Sequence, residues 1–211
     1  MARETHVAWV NDASEPAQRV RLHLSGATYI YPLAQLNDWL VESTYERFGD
    51  RAWSEPVPRA VVRSRMLGAL GLSCRVGAWP AETRRVVREE FARFKTFLHL
   101  LRNGYVAHLL PQPDLECPRM APPVAWEAFQ LRSADAAESV LLAFRNVSPD
   151  DHVVVTSKGL DPDALFVIEG DGVEPREARG RDLLNGGIRL EASLLASAMA
   201  TLRRVTWRSV R

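Results

Sequence analysis

Lysine is nearly missing from this 211-residue chain: Lys95 and Lys158 are the only two among its 27 Lys+Arg. Opposed by 26 Asp+Glu, these cations leave a formal net charge of +1. That balance gives no bulk electrostatic case for a nucleic-acid partner or an anionic membrane. Cysteine is equally scarce. Cys74 and Cys117 make neither a disulfide framework nor a metal cluster, and read as reduced, buried thiols of a cytoplasmic protein. Long apolar runs are lacking too. Val7-Ala8-Trp9-Val10, close to Arg3 and Glu4, is too short for an export signal, and no segment approaches a membrane span. The histidines His6, His23, His99, His108 and His152 include no i,i+4 pair, so no metal site is expected. Gly68 and Gly71 in MLGALGLS are followed by no Lys-Ser/Thr, and Ser73 lies in no G-x-S-x-G elbow. Neither a phosphate loop nor a serine nucleophile is indicated, and no cofactor is expected.

What is present falls into two halves that meet near Gly104. Apolar content of 46% supports an ordinary core. Before Gly104, strand-like and helix-like stretches alternate. Residues 7–10, 27–31 and 60–66 read as buried-type strands, and 33–48 as a helix. The strongest helix is 81–103, where Val87, Phe91, Phe94, Leu98 and Leu101 fall on one stripe behind Pro80. Alternation of this kind points to βα units and a parallel sheet. After a Pro-rich connection the pattern becomes all strand: VAWEAFQLR, SVLLAFRNV, HVVVTSK, LFVIEG, GIRLEA and AMATLRRVTW. Turn signals such as SPDD, GLDPD and NGG separate them, which suggests an antiparallel sandwich. The expected fold class is therefore α/β plus all-β, with residues 1–104 and 105–211 as the two domains. Three βα-type strands are too few for a free-standing parallel fold that covers both faces of its sheet.

The chemistry concentrates at Val7-Ala8-Trp9-Val10-Asn11-Asp12. Asp12 follows directly on a buried-type run, where a (β/α) barrel presents catalytic side chains. Glu15, Arg19 and Arg21 follow closely, and such neighbours tune a carboxylate for acid–base work. Asn-Asp also caps turns and helices, and spacing alone favours that plainer role. Gly68 and Gly71 fit close backbone packing at a pocket floor better than any phosphate cradle. Trp9, Trp39, Trp53 and Trp79 lie in the first half; each is by default a packing residue, and one or two could stack against a sugar ring.

Taken in order, AWVND with EPAQRVRL, GATYIYP, RSRMLGALGLS, the helix 81–103 followed by Gly-Tyr, VAWEAFQL, SVLLAFR, KGLDPDALFVIEG and GRDLLNGGIRL resemble the C-terminal portion of glycoside hydrolase family 36, the α-galactosidases. The resemblance runs along nearly the whole chain. It implies the last three βα units of a (β/α)8 barrel, with RSRMLGALGLS as the eighth strand, followed by an antiparallel β-sandwich domain. By the same resemblance, Asp12 stands at the general acid/base of a retaining glycosidase, which works with a second, nucleophilic carboxylate. Glu15 stands where the family has Asp, Asn11 where it has Ser, and Arg19 at the supporting downstream Arg. Trp9 becomes a candidate substrate contact, and Gly68 and Gly71 the pocket floor.

The family's nucleophile lies in a Lys-Trp-Asp motif on an earlier strand, and these 211 residues hold no Trp-Asp pair. The implied function is a C-terminal segment of an α-galactosidase-like enzyme, inactive by itself, with α-galactosides and an upstream half of the enzyme as partners. Left open are a non-catalytic carbohydrate-binding or oligomerisation module, a homo-oligomer, and one half of a split enzyme.

Overall fold

Leu36, Asp38 and Leu40 are buried while Asn37 and Trp39 are only half-buried, the two-residue period of a strand with one covered face. That strand organises the first of two compact units in a computed structural model, which describes residues 7–10, 17–41, 57–113 and 124–206, without side-chain detail at 17–19, 41, 57 and 58. Unit 1 takes in residues 1–102 and 114–123; unit 2 takes in 103–113 and 124–211.

Unit 1 contains a three-stranded parallel sheet in the order β1-β2-β3: β1 (Ala8–Trp9), β2 (Leu36–Val41) and β3 (Ala69–Ser73). Helix α1 (Ala17–Ala27) lies between β1 and β2 in sequence, and α2 (Val57–Arg63) between β2 and β3. The expected βα alternation and parallel pairing are thus present, but two of the three strands lie elsewhere in the sequence. Residues 27–31 are not a strand. They end α1 and turn, with the Tyr31 amide donating to Ala27 O at 2.9 Å, Thr28 Oγ1 donating to Ser25 O at 2.6 Å, and Tyr29 and Ile30 exposed. The real β2 lies inside the stretch expected as a helix, because Trp39 on its second face blurred the alternation of Leu36, Asp38 and Leu40. Its remainder, 42–48, lies outside the described residues. The Val-rich 60–66 is mostly α2 and the turns after it, and of RSRMLGALGLS only the Ala69–Ser73 part is strand. β-Branched content describes a surface that packs well rather than a backbone preference, and here helix packing prevails.

The helix expected over 81–103 is real but divided. Helix α3 (Ala81–Thr96) stops at Phe97 (φ −121°, ψ 17°), and α4 (Leu98–Asn103) follows. Phe97 is fully buried at the break, its ring edge-on to Phe94 at 5.4 Å. The buried stripe keeps Val87, Phe94 and Leu101, but Val86, Phe97 and Leu100 replace Phe91 and Leu98. Glu90 is fully buried on the same stripe and ties α3 to α2. Arg63 Nε and Nη2 donate to its two carboxylate oxygens at 2.7 and 2.9 Å, and Arg59 Nη1 donates to Oε1 at 2.8 Å.

Every strand expected after residue 124 is found. Unit 2 has a six-stranded antiparallel sheet in the order β4-β5-β6-β11-β8-β9 and a two-stranded sheet β10-β7. The strands are β4 (Tyr105–His108), β5 (Trp126–Arg132), β6 (Glu138–Arg145), β7 (His152–Val155), β8 (Leu165–Asp171), β9 (Arg176–Arg179), β10 (Ile188–Glu191) and β11 (Ser197–Arg204). The short helix α5 (Gly180–Asn185) precedes β10. The β4 and β9 strands and α5 have no counterpart among the elements expected from sequence. Leu141, Ala143, Ile168, Ala198, Ala200 and Leu202 of the larger sheet share one core with Val155, Ile188 and Leu190 of the smaller. Buried Gln130 fixes the GLDPD turn: its Oε1 accepts the Lys158 amide at 2.7 Å, and its Nε2 donates to Lys158 O at 3.2 Å and Ser139 Oγ at 3.1 Å.

Removing one partner of a buried ion pair strands the other charge, at about 3–5 kcal/mol. Glu90→Gln is therefore expected to destabilise unit 1 by roughly that amount. Urea unfolding followed by the far-UV helix signal reads the loss, while amide exchange in β5, β6 and β11 should stay unchanged.

Candidate functional site

In a parallel sheet all strands run toward the same edge, and in sequence Asn11 and Asp12 follow the described segment 7–10 that holds β1. Asp12 and Glu15 lie outside the described residues. Arg19 lies on α1, with only its backbone described. The roles of these three therefore stay with the proposal below. Among the described residues no group of three His, Cys, Asp or Glu could hold a metal ion. No helix there is long and apolar enough to cross a membrane.

Trp9 and the two glycines are described. Register pairs Trp9 with Asn37 and Trp39 with Gly71. The Trp9 and Trp39 rings meet edge to face, with centroids 5.0 Å apart and planes at 75°. The Trp39 indole lies against Gly71 so closely that a Cβ there would sit 2.4 Å from the ring. At Gly68 a Cβ would come within 2.8 Å of Leu36 O. Both glycines are thus sites of close approach, to backbone at Gly68 and to a ring at Gly71. Gly71 lets an indole lie over the strand, and Gly68 lets the turn before β3 reach β2. Trp9 keeps 44% of its surface exposed, so this aromatic pair is open to solvent on its Trp9 side. Cys74, just past β3, is half-buried rather than buried, and its thiol donates to Leu40 O at 2.9 Å. Cys117 lies outside the described residues.

Asp38, Arg21 and Arg65 were not singled out as a buried group from sequence. Asp38 lies on the opposite face of β2 from Trp39 and is fully buried. Burial pushes its carboxyl up to about 6, an effect the nearby Arg65 charge and Trp39 amide only partly offset. Neither oxygen meets hydrogen-bond geometry with any described residue. Arg65 is fully buried as well. Its Nη1 donates to Val61 O at 3.1 Å and Ser64 Oγ at 2.6 Å, while Nε and Nη2 have no partner among the described residues. Burial lowers its pKa to about 10, Asp38 works against that, and buried Arg21 adds to the lowering. The available signal was Asp38 at the midpoint of the Leu36/Leu40 alternation, where a carboxylate must face a core. Being on the helix-covered face, Asp38 cannot share a pocket with a ligand on the tryptophan face.

No protein-family model matches this sequence, and no curated protein matches it. Solved structures do match. The galactosidase domain of an α-galactosidase–sucrose kinase, AgaSK, superposes with a TM-score of 0.74 at 18% identity, over 92% of this chain and 25% of that one. The GH36 α-galactosidase AgaB from Geobacillus stearothermophilus gives 0.71 at 21%, over 93% and 25%. An α-galactosidase from Lactobacillus brevis gives 0.72 at 16%, over 93% and 26%. The chain thus has a fold found in glycoside hydrolase family 36. More particularly, it spans about a quarter of the length of these α-galactosidases and fits their C-terminal portion.

Asp38 holds its proton more tightly folded than unfolded, where its value is 3.8. Stability present below about pH 3.8 is therefore lost as pH rises through about 6. At roughly 1.4 kcal/mol per pH unit, the loss is about 3 kcal/mol. Asp38→Asn should flatten the urea midpoint of unit 1 across this interval, while the parent midpoint falls.

Proposed function

We propose that this chain is the C-terminal part of a retaining α-galactosidase of the family 36 type, with unit 1 supplying the last βα units of its barrel. The carrying observation is that the match to α-galactosidase structures covers 92% of the chain. The parallel β1-β2-β3 sheet, with helices between its strands and a half-exposed aromatic second face, supports the barrel reading. In a closed barrel that second face would point inward. The two antiparallel sheets of unit 2, joined by one core, support a β-sandwich as the second domain.

On this reading Asp12, after β1, is the general acid/base. It protonates the departing glycosidic oxygen, and then takes a proton from the water that releases the sugar. The nucleophilic carboxylate comes from an earlier strand, outside these 211 residues. Glu15 and Arg19 shape the Asp12 loop, Trp9 contacts the sugar, and Gly68 and Gly71 keep the floor low. The substrate class is terminal α-galactosides; a GH36 relative, AgaA from Geobacillus stearothermophilus, has been crystallised with raffinose and another variant with stachyose. A cytoplasmic location and a partner carrying the earlier strands belong to the same proposal.

Co-expression with a polypeptide bearing the first five βα units of a family 36 enzyme tests it. The two should elute as one complex in size exclusion and turn over p-nitrophenyl α-galactoside. Asp12→Asn should cut that rate by about 10²-fold or more, as loss of a general acid does. The 211-residue chain alone should be silent. Turnover by the chain alone, abolished by Asp12→Asn, would overturn the half-site reading. A stable complex without turnover would leave a non-catalytic carbohydrate-binding or oligomerisation role.

A further inference from the structure

The galactosidase reading gives no role to the turn joining β8 to β9 or to the outward face of β10. Together they frame a cavity of about 580 Å³ within unit 2. That size falls among small-molecule sites, roughly 300–1,000 Å³. Its frame is rigid for identifiable reasons. Gly172 adopts a left-handed conformation (φ +71°), and its carbonyl accepts the Glu191 amide at 2.8 Å. A Cβ at Gly172 would lie 2.2 Å from Glu191 O, so only glycine lets the turn close onto β10. Gly187 (φ +78°) leads into β10, and its carbonyl accepts Arg176 Nη2 at 3.3 Å. Val173 packs against the core cluster, and fully buried Ile188 forms the back of the cavity.

The charged lining is balanced. Glu174 and Arg176 come from the turn and the start of β9. Arg189 and Glu191 come from the outward positions of β10, alternating with buried Ile188 and Leu190. Arg189 Nε donates to Glu191 Oε1 at 2.7 Å. Two guanidiniums and two carboxylates cancel formally, so the cavity holds no net attraction for an anion or a cation. A phosphate or an acidic sugar would meet both carboxylates. Guanidiniums only donate and carboxylates only accept, so a neutral ligand suits both best when its groups accept and donate side by side. Hydroxyls do. Among the described residues no aromatic ring lines the cavity, so recognition would proceed through hydroxyl groups and not by stacking.

We propose that this cavity binds a neutral, hydroxyl-rich ligand, an oligosaccharide, at a site that belongs to unit 2 alone. The test is an NMR titration of the isotope-labelled 211-residue chain with raffinose and stachyose, and separately with tetragalacturonate and inorganic phosphate. The neutral sugars should shift the amides of residues 172–176 and 188–191 saturably. Glu174→Ala and Arg189→Ala should each weaken binding about tenfold or more, as loss of charge-assisted hydrogen bonds does. Both side chains are exposed, so thermal unfolding should hold steady. No saturable shift with either neutral sugar would overturn the proposal. So would shifts confined to other residues, tighter binding of tetragalacturonate or phosphate, or full affinity in both variants. Amides of Trp9 and Trp39 report the proposed galactoside face in the same titration, so failure of one site is distinguishable from failure of the other.

Discussion

Parallel pairing is the constraint from which unit 1 follows. Strands that run the same way cannot be joined by a tight turn, so each step from β1 to β2 to β3 needs a crossover, and α1 and α2 lie in those crossovers. Crossovers of one hand, taken in one direction along a sheet, place their helices on one face. Leu36, Asp38 and Leu40 face burial there, while Asn37 and Trp39 face the other way. The asymmetry of the sheet thus comes from its connectivity. Gly71 then decides what the second face carries, since any larger residue would displace the Trp39 indole and its contact with Trp9.

The buried charges divide into two kinds with different physics. Glu90 has its full complement of guanidinium donors, so its desolvation is offset by short, directed bonds. Asp38 and Arg65 interact through the field without sharing a hydrogen bond, and both are pushed toward neutrality by burial. The first arrangement locks α2 to α3. The second makes the packing beneath β2 sensitive to protons.

Legibility in the sequence tracked how directly a residue's neighbours in the chain are also its neighbours in space. Unit 2 was readable because its strands are bounded by turn residues and half of its pairings join strands consecutive in sequence; β5 and β6, joined at Ser133–Ala137, are the clearest case. In unit 1 the count of parallel strands was readable but two of their positions were not. Tyr29 and Ile30 have the chemistry of a strand and sit exposed after a helix, and the valines of 60–63 are buried from a helix face. Asp38 and Arg65 are 27 residues apart and meet only through the fold, so no local pattern announces them. The close approaches at Gly68 and Gly71 were legible because a glycine inside an apolar run commonly marks a point where backbone or ring must come near.

The place of β11 in the larger sheet bears on how the protein is made. β11 lies between β6 and β8 and hydrogen-bonds to both, yet it is the last of the described strands to leave the ribosome. Until it emerges, β6 and β8 each hold an open edge of backbone donors and acceptors, and the Leu141–Ile168 side of the core has no floor. Synthesis therefore passes through a long interval in which most of unit 2 has been translated but cannot close. Insertion of a single eight-residue strand then completes the sheet.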